Sequence, residues 1–263
     1  MKIFLSALEA GAQCVQYKDE NGKGLPLAYY LKNEGVEFKW NLMSYFYIQK
    51  NNHEVANFIK HHSEEILIDS GAHSFQHGAK VDWVEYTKQY AQWIRQFDEP
   101  KVIGYFEMDV DNIIGYEKVL ELRKILESAS DKIIPVWHKN RGVDDFKKMC
   151  RDYAGKVIAI TGFKNEDIQD HQYLMFLKYA KQYGCKVHCL GMTRKKILDK
   201  VPFDYVDSSS WKQSALYGRI DGKGKVTREF SKTKREVIFK ENYLQGQKLQ
   251  LHYHKKWQAV NKD

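Results

Sequence analysis

Along this chain of 263 residues, short apolar runs repeatedly end in polar residues suited to chemistry. Ile66-Leu67-Ile68 ends in Asp69-Ser70-Gly71, and Val102-Ile103-Gly104-Tyr105-Phe106 ends in Glu107-Met108-Asp109. Ile133-Ile134-Pro135-Val136-Trp137 leads to His138, Val157–Ile160 to Thr161-Gly162, and Val187–Leu190 to Gly191. Tyr205-Val206 closes in Asp207-Ser208-Ser209-Ser210. A nearby pair of carboxylates can divide labour, one ionised as nucleophile and the other tuned as acid or base. Such a pair suits cleavage at a sugar anomeric carbon, where a carboxylate can hold a covalent glycosyl intermediate. One aspartate after a strand is accounted for as a helix N-cap or a turn. Three carboxylate positions, Asp69, Asp109 (with Glu107 beside it) and Asp207, point to an enzyme site. The glycines put bare backbone where a flat ring can approach, although an ordinary turn accounts for each singly. His138 can donate to a substrate or a carboxylate, or stand as a satisfied histidine at a barrel rim.

The elements that must carry these residues follow from the same runs. Eight strands are predicted: Lys2–Leu8, Lys39–Ile48, Glu65–Ser70, Val102–Asp109, Lys132–His138, Lys156–Gly162, Lys186–Met192 and Asp204–Ser208. They are short and mostly lack clean alternation, as strands buried on both faces do. Helical spacing of apolar residues fills His53–His62, Val81–Phe97, Ile114–Leu126, Val143–Tyr153, Gln172–Tyr183 and Arg194–Leu198. Gln13–Val36 is polar and glycine-containing and reads as a long loop. Strand–helix alternation of this length predicts an α/β fold, a (β/α)8 TIM-type barrel over residues 1–211 with a short basic C-terminal extension over 212–263. The turn at Asp221–Gly224 predicts a hairpin over the barrel mouth.

Composition narrows the partners. Cys14, Cys150, Cys185 and Cys189 have no CxxC spacing and read as buried thiols of a reducing compartment. His171, His188, His252 and His254 form no four-ligand pattern, so no zinc site and no cofactor are expected. With neither a signal peptide nor a run of transmembrane length, the expected location is the cytoplasm, away from membranes. From Lys212 to Asp263 there are 13 Lys or Arg against 5 Asp or Glu, which carries the whole formal charge of +8. A neutral body with a basic end suits a polyanion, with Lys212, Arg219, Lys232, Lys234 and Arg235 as candidate nucleic-acid contacts. A solvated lysine-rich helix is the competing reading.

At the same residues the chain resembles the queuine/archaeosine tRNA-guanine transglycosylase family, which exchanges guanine for a 7-deazaguanine base in nucleic acid. Ile68-Asp69-Ser70-Gly71-Ala72-His73-Ser74-Phe75-Gln76 is similar to that family's DSGG(F/Y)Q segment, whose aspartate is the general acid/base. Tyr105–Asp109 is similar to its FDE segment, whose aspartate reads the guanine edge; Asp109 is the preferred reader and Glu107 the alternate. Gly162 falls at the family's GG loop, and Leu190-Gly191 at LMGVG, whose backbone contacts the base. Phe203-Asp204-Tyr205-Val206-Asp207 is similar to IDMFD, which implies Asp207 as nucleophile. Ser70, Gly71 and His138 complete the implied substrate-binding set. The family's cysteine-rich zinc motif is missing, and Ser-Ser-Ser-Trp follows Asp207 where the family has Cys-Val-x-Pro-Thr-Arg. This compact form resembles the phage and bacterial enzymes that place 7-deazaguanines in DNA. The resemblance, over roughly residues 60 to 215, implies DNA and a free 7-deazaguanine base as substrates. The alternatives are the same exchange on tRNA, a non-catalytic nucleic-acid-binding barrel, and a barrel hydrolase of a small glycoside.

Overall fold

A computed structural model describes residues 1–9, 18–22, 24–49, 53–75, 81–161, 168–220, 224–225 and 235–260. The chain opens with β1 (Lys2–Ser6), α1 (Leu27–Asn33), β2 (Trp40–Ser44), α2 (Tyr45–Ile48), α3 (His53–His62) and β3 (Glu65–Asp69). It continues through α4 (Trp83–Phe97), β4 (Val102–Phe106), α5 (Asp111–Ile114), α6 (Tyr116–Glu127), β5 (Ile133–Ile134) and β6 (Val136–Trp137). Next come α7 (Gly142–Asp152), β7 (Val157–Thr161), α8 (Tyr173–Gln182), β8 (Lys186–Leu190), α9 (Lys195–Leu198) and β9 (Tyr205–Ser208). After α10 (Ser210–Leu216), β10 (Arg219–Ile220) and β11 (Gly224–Lys225) pair antiparallel, and α11 (Arg235–Val260) follows.

The nine strands β1–β9 form one parallel sheet in the order β5-β4-β3-β2-β1-β9-β8-β7-β6. Its two ends are halves of one strand, separated by Pro135. Tyr105 and Phe106 of β4 pair with β5, whereas Val136 and Trp137 of β6 pair with β7. The ring therefore closes through Pro135 into an α/β TIM-type barrel with helices outside. Proline cannot donate to a ladder, which explains the break in the fifth strand.

Two local expectations are corrected. The second strand stops at Ser44 instead of running to Ile48. Tyr45 turns out of the sheet to pack on Tyr86, Tyr90 and Trp93, and this tertiary contact overrides the strand propensity of Tyr-Phe-Tyr-Ile. Within the segment read as a loop, Leu27–Asn33 is helical and buries Leu27, Ala28, Tyr30 and Leu31. Cys14 and Asp221–Lys223 lie outside the described residues. Cys150, Cys185 and Cys189 are buried free thiols.

A barrel interior built from Phe4, Trp40, Leu42, Leu67, Phe106, Ile134, Val136, Ala159 and Tyr205 separates two outer cores, one against each half of the ring. The segment set apart by charge is built into that packing. Helix α11 contributes Ile238, Phe239 and Tyr243 to one outer core and Tyr253 and Trp257 to the other. Gln250 Nε2 donates to the carbonyls of Ile3 (2.7 Å) and Trp40 (2.8 Å). At Gly246 the helix crosses β1 so closely that a Cβ would lie 2.9 Å from Leu5. The barrel's outer layer thus extends past residue 211, and its last helix carries five of the thirteen basic residues counted there. Among the described residues no helix is long and apolar enough to cross a membrane.

Candidate active site

The two-residue period of the strands builds the site. Phe4, Leu42, Leu67, Ala159, His188 and Tyr205 belong to the barrel interior. The next inward positions, one step toward the carboxyl ends, are Ser6, Ser44, Asp69, Thr161, Leu190 and Asp207. All six line a cavity of about 610 Å³ at that mouth. Asp109 and His138, from the loops after β4 and β6, line it too. The three predicted aspartates are therefore brought to one bowl.

Asp207 is held by one oxygen. Its Oδ1 accepts from His188 Nε2 and from the Gly191 N–H, both at 2.9 Å. The N-cap of α10 is Ser209, so Asp207 does not serve that helix. Asp69 Oδ2 accepts from the Gly71 N–H at 2.9 Å and from Ser44 Oγ at 3.4 Å. Burial, with Asp207 and Asp109 adding repulsion, pushes the Asp69 carboxyl up to about 6. Gly71 stands at φ 75°, and a Cβ there would lie 2.8 Å from the Phe46 backbone nitrogen, so this position requires glycine. Tyr86 fixes the same turn by donating to the Ser70 carbonyl at 2.7 Å. Ser70 and Gly71 thus support Asp69 from behind the cavity wall.

Asp109 and His138 meet at 2.5 Å between Oδ1 and Nε2. Burial disfavours the imidazolium, but the hydrogen bond and charge of Asp109, then the charge of Asp111, outweigh it and raise His138 to about 9. His138 therefore stands as an imidazolium at neutral pH. Glu107, the alternate reader, lies outside the cavity lining and is fully buried. Arg123 donates to both its oxygens (Nε 2.5 Å, Nη2 3.0 Å), and the Val136 N–H donates to Oε1 at 2.6 Å. Those bonds tie it to the fifth strand, and of the two carboxylates Asp109 is the one that faces the cavity.

Asp109, Asp111 and His138 offer ligand atoms within 4.8 Å of one another, a spacing a metal ion can use. Arg141 Nε, 3.1 Å from Asp111 Oδ2, already places a cation against this group. Gly162, Lys232 and Lys234 lie outside the described residues. Arg219 and Arg235 are exposed, and Lys212 is half-buried beside the site, close enough for its charge to act on Glu9.

Sequence reasoning weighed His188 only as a zinc ligand and passed over Ser6, Ser44 and Glu9. The Glu9 Oε1 accepts from the Ser44 N–H at 2.9 Å. Its signal was present, a carboxylate after the first apolar run, but Ala7-Leu8 extended that run and hid its end. His188 sits inside an unbroken buried run, where nothing marks the inward face. No protein-family model, curated protein or solved structure matches the chain.

Proposed function

We propose that this protein is a base-exchange transglycosylase that replaces guanine with a 7-deazaguanine in DNA. The observation that carries the reading is the division of labour between two carboxylates in one cavity. Asp207 is anchored through Oδ1, with Oδ2 left for attack. Asp69 titrates near neutrality and can pass a proton either way.

In this mechanism the target guanine leaves the stack at a cost of about a few kcal/mol. Asp109 accepts from its N1–H and exocyclic amine. Asp207 Oδ2 attacks C1′, the bond to guanine N9 breaks, and protonated Asp69 supplies a proton to the departing ring. A glycosyl ester on Asp207 remains. The incoming 7-deazaguanine gives its ring N–H proton to Asp69, its nitrogen attacks C1′, and the Asp207 carboxylate is released. Thr161, Leu190 and Gly191 complete the ring's surroundings. The exposed Arg219 and Arg235 supply charge for phosphates.

Exchange of labelled guanine into DNA and into tRNA tests the reading. Incorporation into DNA, with a polymer–protein adduct that survives denaturing electrophoresis and is lost in Asp207→Ala, is the expected result. Incorporation into tRNA alone moves the substrate to the alternative polymer. Polymer binding without exchange or adduct makes the barrel a binding module.

A further inference from the structure

One stretch of the cavity wall takes no part in that exchange, the end of β1. Ser6 and Glu9 line the cavity, and both are buried, at 8% and 2% exposure. Between them Ala7 stands at φ 72°, a left-handed conformation that costs a non-glycine residue about 1–2 kcal/mol. The turn sends Leu8 into the core and returns Glu9 to the mouth. Among the described residues neither Ser6 Oγ nor Glu9 Oε2 has a hydrogen-bond partner. An unsatisfied buried polar group is costly to the fold. Strain and two such groups together, on the wall of a functional cavity, are what a ligand-binding surface looks like before its ligand arrives.

We propose that Ser6 and Glu9 form a sugar subsite that binds a pentose oxygen of the nucleotide undergoing exchange. This rests on the transglycosylase reading and adds residues to it. The partners of Asp207 Oδ1, His188 and Gly191, come from β8 and the turn after it, so the attacking Oδ2 is the oxygen turned away from that strand. On the other side of β9 lies β1, and beyond it β2, whose Ser44 touches Asp69. A pentose with C1′ at Asp207 and its base bond within reach of Asp69 therefore rests against the end of β1. The hydrogen-bonding chemistry fits. Because Glu9 Oε1 accepts an N–H, a proton on this carboxyl sits on Oε2 and presents an O–H, while Ser6 Oγ can donate or accept. Burial pushes Glu9 up to about 7 against the backbone N–H bonds and the Lys212 charge, which favour the anion, with a small further push from Asp69, so the neutral form is well populated at neutral pH. With the Lys212 charge set against that of Asp69 around a largely neutral Glu9, an uncharged sugar oxygen is the matching group.

Calorimetric titration of guanine, 2′-deoxyguanosine and guanosine into wild type, Ser6→Ala, Glu9→Leu and Glu9→Gln tests the assignment. Wild type should bind a nucleoside more tightly than guanine. Glu9→Leu should cut that advantage by about tenfold and Ser6→Ala by several-fold, with guanine affinity unchanged. Glu9→Gln keeps an acceptor for Ser44 and an N–H toward the cavity, and should retain most of the advantage. A larger loss for guanosine identifies the 2′-hydroxyl; equal losses identify an oxygen common to both sugars. If Ser6→Ala and Glu9→Leu leave nucleoside and base affinities in their wild-type ratio, the subsite is overturned and the transglycosylase reading stands. Should Glu9→Leu fail to fold, Ser6→Ala decides by the same criterion. Wild type that binds neither base nor nucleoside removes the transglycosylase reading, and the subsite with it.

Discussion

Asp69→Asn should make the protein more stable and catalytically inert. The carboxyl rises from an ordinary value of 3.8 to about 6 because it is buried and faces two other aspartates. A raised carboxylate favours proton binding by the folded state. Its contribution is therefore most favourable below pH 3.8, is lost as pH rises toward 6, and stays lost above that. Two units correspond to about 3 kcal/mol, an upper limit because the side chain keeps some contact with cavity solvent. Asparagine preserves an acceptor for the Gly71 N–H and carries no charge to bury. The advantage of Asp69→Asn in urea unfolding should be near zero at pH 4 and reach about 1–3 kcal/mol at pH 8. Exchange activity should vanish at every pH, as expected where function holds a strained charge in place. A variant no more stable than wild type at pH 8 would refute the claim that burial and repulsion tune this group.

Three other perturbations probe different parts of the molecule. Glu107→Gln leaves the Arg123 guanidinium buried without its anion and should lower unfolding free energy by about 3–5 kcal/mol in urea melts; a loss under about 1 kcal/mol would remove the pair from the stability account. Neutralising Lys232, Lys234 and Arg235 together should flatten the salt dependence of polymer binding by roughly one unit of log–log slope per lost phosphate contact, with kcat at saturating polymer unchanged. An unchanged slope would assign those charges to a solvated surface. Ala7→Gly relieves the left-handed strain and should leave thermal stability unchanged or higher by up to about 1 kcal/mol, the gain being offset by glycine's extra unfolded-state entropy. A clear loss of stability would show that the Ala7 methyl packs usefully.

Much of this architecture was legible because the barrel strands are buried on both faces. Such strands read as apolar runs, and what terminates a run becomes a rim residue. Asp69, Asp109 and Asp207 were found that way. The rule failed where the chain left the sheet without a sequence sign. Ala7 adopts a glycine-like conformation with no glycine to announce it, so Glu9 looked like the start of a loop. Aromatic packing bent Tyr45–Ile48 into a helix, although the four residues read locally as strand. Charge misled in another way. The basic excess after residue 211 set that segment apart as an extension, while Asn242, Tyr243 and Gln250, buried on α11, tie it to the barrel. Glu107 and Asp109 are carboxylates two residues apart, and what separates their surroundings is folding: Glu107 is buried against Arg123 and the Val136 N–H, and Asp109 lines the cavity.

The break at Pro135 gives the barrel a seam, and its stitching is made partly of side chains. Where backbone pairing would otherwise continue, the Val136 N–H turns to Glu107, and Arg141 reaches back to the Val136 carbonyl. Directly above, on the mouth, Asp109 and His138 clasp from opposite sides of the same join. The wall of the cavity that carries Asp109 is thus also the wall where one strand is divided between two short pairings. A ligand that draws Asp109 away from His138 loosens the clasp at its top while the Glu107 cluster holds it below. A group entering at this wall would be expected to part this one join first, with the other strands of the ring keeping their register.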